Sequence, residues 1–539
     1  MELFTAAHAF EWIGVTILFT TLFFLCSFKL LGGLQQAGYS TRKLFAWLKR
    51  KDNLVFTTLS LLSFILVLSS AVLALCFSFV KDSGFISLCA FLFFCIAYFL
   101  ADRKYALKVK IVKTARFLRL TALYLIFLFL FVGAFTVGFT CAFWSIPHPL
   151  AAICRYIPMG LFIFALPVVL AVANFFDKLF EVPHNARYLR RAEKTMASCP
   201  NVIKIGITGS YGKTSVKHIL SCVLGERYRV LMTPASYNTP MGIARCVNGV
   251  DFSSYDLFLA EMGARNKGDI EELCDLVMPD YSVITGICPQ HLQSFGSVED
   301  IVAAKGEILY GTAKGAVLGN DEYTLRLYDN SPVETLIAGQ EVRVTDVVAD
   351  TNGTRFTLWV EKEKRTVSTR LLGEHTADNM CIAATLAYFL DFSIDEIVRG
   401  LEKTEPIPHR LQPVYAGGVA ILDDSYNSNV KGAEDAVAML KKFTGRHFIV
   451  TPGLVELGII EEEENKKLGG RLVGLDRVIL VGDTLVSVVK KGYLEGGGEP
   501  EKLAVVPTLD DAQKLLKEEL QTGDAVLFLN DLPDVCNII

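Results

Sequence analysis

A lysine and a threonine stand together at the end of a glycine-rich turn, in Gly206-Ile-Thr-Gly209-Ser-Tyr-Gly212-Lys213-Thr214-Ser215. The apolar run "VIKIGI" leads into the turn and "VKHILSCVLG" leads out of it, so the segment reads as strand, turn and helix. Gly209 and Gly212 free the backbone N–H groups to face an anion at a helix N-terminus, with Ser210 and Ser215 in the same turn. Lys213 is suited to neutralise the β- and γ-phosphates of a nucleoside triphosphate, and the Thr214 hydroxyl to ligate Mg²⁺. A strict P-loop has glycine where this chain has Ile207, yet the phosphate-binding physics survives that change. The plain alternative is a strand-to-helix turn without a ligand.

Further candidates follow in chain order. "LAEM" ends an apolar strand on Glu261, the place of a metal-binding carboxylate beside such a loop. His291 follows the next strand, and Lys305 lies on the helix after it. Asn379 opens the helix "HTADNMCIAATLAY", Arg410 sits in "PHRLQP", and "VAILDDSYNSN" places Asp423, Asp424 and Asn427 at a strand end. Taken singly, each has an ordinary structural explanation.

These residues need elements that converge on one edge. After about Phe176 the pattern is apolar strands alternating with helices, which predicts doubly wound α/β units. The strands are "VIKIGI", "LFLAEM", "YSVIT", "AVLG", "VAILD", "FIV", "RVILVG", "LAVV" and "AVLFL". "VVADTNGTRFTLWV" predicts a β-hairpin with an Asn-Gly turn. The two prolines of "KTEPIPHR" mark a domain break, which gives a central domain at 181–405 and a C-terminal domain at 406–539.

Residues 1–180 have a different composition, and they account for the mean hydropathy of +0.39. Five apolar stretches approach or reach bilayer length: 10–34, 55–80, 84–100, 120–144 and 157–176. This predicts an α-helical membrane domain of about five transmembrane helices. Two connecting loops are basic, with Arg42, Lys43, Lys49, Arg50 and Lys51 in one and Arg103, Lys104, Lys108, Lys110, Lys113 and Arg116 in the other. By the positive-inside rule both loops are cytoplasmic, so the N-terminus is outside and the soluble half, helped by Arg187, Arg190 and Arg191, is cytoplasmic. The expected location is the plasma membrane, multi-pass. The basic loops suit anionic lipid or a phosphate-bearing lipid substrate, or merely orient an anchor. Net charge is −4, which argues against nucleic acid. Thirteen scattered cysteines form no metal-spaced cluster and read as reduced thiols.

In this order, "TGSYGKTS", "HLQSFGSVEDIVAAKGEI", "DDSYNSN" and "VELG" resemble the Mur ligase family, which joins amino acids or peptides to cell-wall precursors. Within it they resemble the branch that adds D-alanyl-D-alanine (the MurF type), over about 202–529. The resemblance implies a central P-loop ATPase-like domain followed by a Rossmann-like C-terminal α/β domain. It also implies ATP and two Mg²⁺ ions, a muramyl-peptide acceptor linked to UDP or lipid, and an amino acid or dipeptide amine. Carried over, Lys213 and Thr214 take phosphates and magnesium, while Glu261 and His291 resemble metal ligands. Lys305 resembles the lysine that several members carbamylate to complete a second metal site. Asn379 matches a nucleotide contact, Arg410 a phosphate contact, Asp424 a ribose or ligand contact, and Asn427 reaches toward the γ-phosphate.

The implied reaction is ATP-dependent ligation through an acyl phosphate. Departures bear on the incoming amine: Thr376 replaces a family asparagine, and "YNTPMG", "TPGLVELG" and the C-terminal "FLNDLPDVCNII" differ from the branch. Phe176 is followed almost at once by the ATP domain, leaving no room for the soluble domain that holds a UDP-linked substrate. Rival readings are ligation of a different amine or acceptor, an ATP-driven transporter, and a catalytically silent membrane scaffold. The transporter lacks its signature motifs, and joint retention of Lys213, Glu261, His291 and Lys305 argues against the scaffold.

Overall fold

A computed structural model describes residues 6–48, 111–142, 165–289, 295–426, 429–455, 457–482 and 485–530. The chain divides into two units, Met1–Ala186 and Arg187–Ile539. The expected apolar stretches at 55–80 and 84–100, and the candidate residues His291 and Asn427, lie outside the described residues.

The first unit is helical: α1 (Ala6–Leu25), α2 (Phe28–Gln36), α3 (Thr41–Leu48), α4 (Ala115–Ala142) and the start of α5 (Leu166–Ala197). Among the described residues one helix is long and apolar enough by itself to cross a membrane, α4 over Ala115–Gly138. The first expected span is not one straight helix, because α1 and α2 meet at a 49° bend. The reason is local. The Ser27 hydroxyl, buried in apolar surroundings, pairs with Phe23 O and with Tyr124 Oη, both at 2.7 Å. Its N–H bonds Phe24 O, a tightened turn at the helix break. Asp177 is also fully buried, between Arg116 Nε at 3.2 Å and Arg119 Nε at 2.7 Å. Two guanidinium partners offset the cost of burying that carboxylate.

The second unit holds two six-stranded sheets. In the first, β1 (Ile203–Thr208), β2 (Val230–Met232), β3 (Leu257–Glu261), β4 (Tyr281–Ile284), β5 (Gly315–Leu318) and β6 (Glu334–Ile337) take the order β2-β3-β1-β4-β5-β6. Every pairing is parallel. Buried on both faces, the inner strands read as continuous apolar runs, with all five residues of β3 buried. One core packs α6 (Lys213–Leu224) and α10 (His375–Phe389) on one face. The other face is covered by α7 (Pro240–Asn248), α8 (Asp269–Val277) and α9 (Val298–Tyr310). The chain leaves β1 for β2 and β3 on one side and then crosses to β4 on the other. Such a reversal opens a crevice at the carboxyl ends of the strands.

An antiparallel sheet of β7 (Val342–Asp350), β8 (Gly353–Val360) and β9 (Glu363–Thr369) follows. The expected hairpin is present, but its turn is Thr351-Asn352, one residue earlier than Asn-Gly. Gly353 already pairs with Asp350 as the first residue of β8, and Asn352 N–H bonds Asp350 Oδ1 at 2.7 Å.

After α11 (Ile394–Glu402), a second sheet takes the order β10-β11-β15-β12-β13-β14. Its strands are β10 (Gln412–Ala416), β11 (Val419–Asp424), β12 (His447–Thr451), β13 (Arg477–Val481), β14 (Leu503–Val506) and β15 (Ala525–Leu529). Only the edge strand β10, which carries Pro413, pairs antiparallel. This is the expected Rossmann-like α/β sheet.

Candidate functional site

The glycine turn joins β1 to α6, so the sheet and the helix axis set its direction together. Gly209 and Gly212 have φ of 151° and 74°, conformations in which a side chain is strained. A Cβ on Gly209 would lie 2.1 Å from Thr285 Oγ1, and one on Gly212 would lie 2.6 Å from Asn379 Oδ1. Both glycines are therefore required by close approach. No side chain caps the N-terminus of α6, leaving its backbone donors to the turn and to whatever enters it.

Four cationic side chains meet at this turn. Lys213 Nζ and Lys305 Nζ both donate to Gly209 O, at 2.7 and 2.9 Å. Lys305 is buried, and burial together with repulsion from Lys213 lowers its pKa to about 7. Burial also lowers the Lys213 pKa, although Glu261 pulls it the other way. Arg410 reaches across from the second sheet's side, with Nη2 3.4 Å from Thr214 Oγ1 and its guanidinium 4.2 Å from the centre of the Tyr426 ring. The fourth is Lys217, one helical turn beyond Lys213 and wholly buried.

Glu261, at the carboxyl end of β3, gathers these groups. Its Oε2 accepts from Thr214 Oγ1 and from Lys217 Nζ, each at 3.0 Å, and its Oε1 accepts from Asn238 Nδ2 at 3.1 Å. Burial alone would raise its pKa, but the ammonium groups of Lys217 and Lys213 outweigh that and hold it below the usual carboxylate value. Glu261 is thus an anion at neutral pH, beside the hydroxyl of Thr214.

Arg410 is held by its neighbours. His409 and Leu411, on either side, both have positive φ, 60° and 47°. His409 Nδ1 lies 2.9 Å from Asp423 Oδ2, and Leu411 N–H bonds Asp424 Oδ1 at 3.1 Å. Consecutive aspartates at the end of β11 therefore grip both flanks of the arginine.

The expected residues Gly209, Ser210, Gly212, Lys213, Thr214, Ser215, Glu261, Lys305, Asn379, Arg410 and Asp424 all line one cleft of about 1450 Å³. Ser210 turns its hydroxyl to Cys288 O at 3.2 Å. Thr376, in place of the family asparagine, bonds Leu372 O at 2.9 Å, just ahead of its own helix. Sequence reasoning passed over Lys217, Asn238 and His409. Helical spacing was the available signal for Lys217, four residues after Lys213 and so on the same face.

The residues fit a nucleoside triphosphate with Mg²⁺. The two glycines leave a cradle that side chains would fill, and Lys213 supplies phosphate-neutralising charge. Among the described residues no cluster of three His, Cys, Asp or Glu side chains gathers. Mg²⁺ bound to a nucleotide does not need one, since it takes one or two carboxylates with phosphate oxygens and waters. Glu261 offers one such carboxylate, and the Thr214 hydroxyl stands beside it.

Comparison with known families agrees with this architecture. Residues 207–387 match the Mur ligase middle domain, and residues 409–530 match the Mur ligase, glutamate ligase domain. The chain belongs to the Mur ligase family and is an ATP-dependent amide ligase of that type.

Several of its relatives belong to one branch of the family. The UDP-N-acetylmuramoyl-tripeptide–D-alanyl-D-alanine ligase of Bacillus subtilis is 29% identical over 333 residues, covering 60% of this chain and 72% of that protein. The enzyme of the same name from Mycobacterium bovis is 30% identical over 364 residues, covering 60% and 69%. The crystal structure of MurF ligase from Thermotoga maritima in complex with ADP has a TM-score of 0.56 at 25% identity, covering 64% of this chain and 80% of that one.

Proposed function

We propose that the chain is a membrane-anchored, ATP-dependent ligase of cell-wall precursor synthesis. It joins an amino acid or D-alanyl-D-alanine to the carboxylate of a muramyl peptide. The observation that carries this reading is the convergence of Lys213, Thr214, Glu261, Lys305 and Arg410 on one glycine cradle. The names of the relatives support the choice of substrates.

A carboxylate resists amine attack because oxide is a poor leaving group. Phosphorylating it with ATP gives an acyl phosphate, from which the amine displaces phosphate. Lys213 and Arg410 hold the phosphates and oppose the negative charge that spreads over the transferring group. Glu261 and Thr214, with His291 by resemblance, would hold Mg²⁺, which supplies charge neutralisation to the phosphates when bound. Lys305 is proposed to act as its carbamate. A buried amine with a pKa of about 7 is about half uncharged at neutrality and open to CO₂, and the carbamate replaces an ammonium by anionic oxygens at the glycine turn. That oxygen pair would serve a second ion. Asn379 lies against the cradle, and Asp424 and Asn427 are assigned to the ribose and γ-phosphate by resemblance.

The membrane placement has five spans, an outside N-terminus and a cytoplasmic ligase. The apolar helix α4 and the basic loops of the sequence support it. A second reading, a lipid-linked acceptor, is favoured by the same features, since its phosphates would lie at headgroup level near Arg42, Lys43, Arg103 and Lys104.

The test incubates the purified full chain with ATP, Mg²⁺, D-alanyl-D-alanine and either UDP-linked or lipid-linked muramyl tripeptide, following product mass. A new amide with stoichiometric phosphate release is expected. No product from either acceptor would remove the proposed function. Equal turnover of both acceptors by the full chain and by a chain starting near Glu181 would reduce the N-terminal region to an anchor.

A further inference from the structure

Arg187, Arg190, Arg191 and Lys194 stand on α5 at spacings of three, four and seven residues from the first, and all four are exposed. That spacing puts them on one face. Ala192 and Met196, on the opposite face, are fully buried in the core that includes Ile243 and Phe258. Asn248 Nδ2 bonds Tyr188 O at 2.9 Å, so this end of the helix is fastened to the ligase unit and presents its cations rigidly outward. The side chains of Thr195 and Ser198 border the same shallow groove as the four cations.

None of the four has an ion-pair partner among the described residues. Elsewhere in this unit several surface cations are paired: Arg227 with Glu396, Arg229 with Asp256, Arg446 with Asp524, and Arg399 and Lys403 with Glu226. The chain as a whole is acidic, with net charge −4. A four-cation stripe without ion pairs is therefore a local feature. Glu193, the one acidic residue between Arg187 and Ser198, borders the stripe three residues after Arg190 and forms no ion pair with it.

We propose that this stripe is a docking surface for anionic phospholipid headgroups, which holds the ligase unit against the membrane surface. In sequence it follows Phe175, Phe176, Leu179, Phe180 and Val182, all exposed apolar residues. Apolar residues followed by a cation cluster is the order of a chain leaving hydrocarbon for headgroups. Each cation near an anionic leaflet adds attraction, and four on one rigid face add theirs together. The proposal rests on the membrane placement above for bringing this face within reach of a bilayer.

The experiment places the full chain in lipid nanodiscs of phosphatidylcholine alone or with phosphatidylglycerol, and follows acetylation of Lys194 by mass spectrometry. Acetylation is expected to be several-fold slower with phosphatidylglycerol, and high salt should remove the difference. The triple variant Arg187→Gln, Arg190→Gln, Arg191→Gln should lose the protection, and exposed side chains can be changed in this way without disturbing the core. Equal acetylation in both bilayers overturns the proposal, as does protection that survives in the triple variant. Protection by soluble heparin in phosphatidylcholine discs, without protection by phosphatidylglycerol, would assign the face to a soluble polyanion and also overturn it. Alkaline extraction of membranes separates the two readings. Release of the full chain would refute the anchor, while lipid-dependent protection on added vesicles would still decide the docking surface.

Discussion

Lys217 Nζ lies 3.0 Å from Glu261 Oε2, and the two side chains are 0% and 2% exposed. The same ammonium donates to Ala235 O at 2.5 Å, and Ala235 has a positive φ of 42°. One buried lysine therefore fixes both the carboxylate and the strained loop that carries Asn238. Replacing Lys217 by Met should cost about 3–5 kcal/mol of stability, because it strands a buried anion. Thermal unfolding would measure this as a lowered Tm. Pairing the change with Glu261→Gln should recover much of the loss, and a double variant no more stable than Lys217→Met would refute the pairing as its source.

Lys213→Ala should leave the protein folded while kcat/KM for ligation falls by roughly 10²–10³-fold, the size of loss for a group that stabilises transition-state charge. Lys213 is half-buried and faces the cleft, so the core is spared. Phosphate release assays check this. Near-normal turnover would remove the glycine turn from the mechanism.

Lys305→Ala should be inactive and partly rescued by a short-chain carboxylic acid. The pH dependence follows from the amine. With a pKa of about 7 it is mostly protonated below pH 7 and mostly neutral above, and only the neutral form reacts with CO₂. At equal dissolved CO₂, protein stripped of bicarbonate should regain activity faster at pH 8 than at pH 6. Full activity of Lys305→Ala without additive would exclude the carbamate.

Arg410 is aimed at Thr214 by a turn in which His409 and Leu411 both adopt positive φ. Such strain persists only where surroundings enforce it, and Asp423 and Asp424 do so here. His409→Ala should lower kcat/KM roughly tenfold, within the range for coupled neighbours. In an Arg410→Ala background the same change should have little further effect. Additive losses in that double-mutant cycle would make His409 a merely structural residue.

Nine strands were legible as apolar runs: eight are inner strands, buried on both faces, which leaves an unbroken pattern, and the ninth, the edge strand β14, is short but wholly apolar. The strands that escaped, β2, β6, β9 and β10, are all at sheet edges. β2 has three half-buried residues, β6 is half-buried, and β10 is an edge strand bearing Pro413. None of these produces a run long enough to stand apart from a loop. The hairpin turn moved by one residue because pairing across β7 and β8, rather than turn propensity, set the register.

Local chemistry was enough to point to the glycine cradle with its lysine and threonine, while the ligase class came from the resemblance that the motifs carry in their order. The reach of Lys213 back to Gly209 O acts within one turn of chain, whereas the close approach that requires the two glycines comes from Thr285 and Asn379. What only tertiary structure decided is everything that depends on distance between elements. It showed that Lys217 neutralises Glu261, that Lys213 and Lys305 share the Gly209 carbonyl, and that two aspartates clamp His409 and Leu411 to aim Arg410 at Thr214. These pairs are 44, 92, 14, 13 and 196 residues apart or meet through a third group, and no periodicity in the chain encodes such separations. Burial then sets the charge states, lowering Lys305 toward neutrality while its ion partners keep Glu261 an anion, and burial is a property of the folded chain alone.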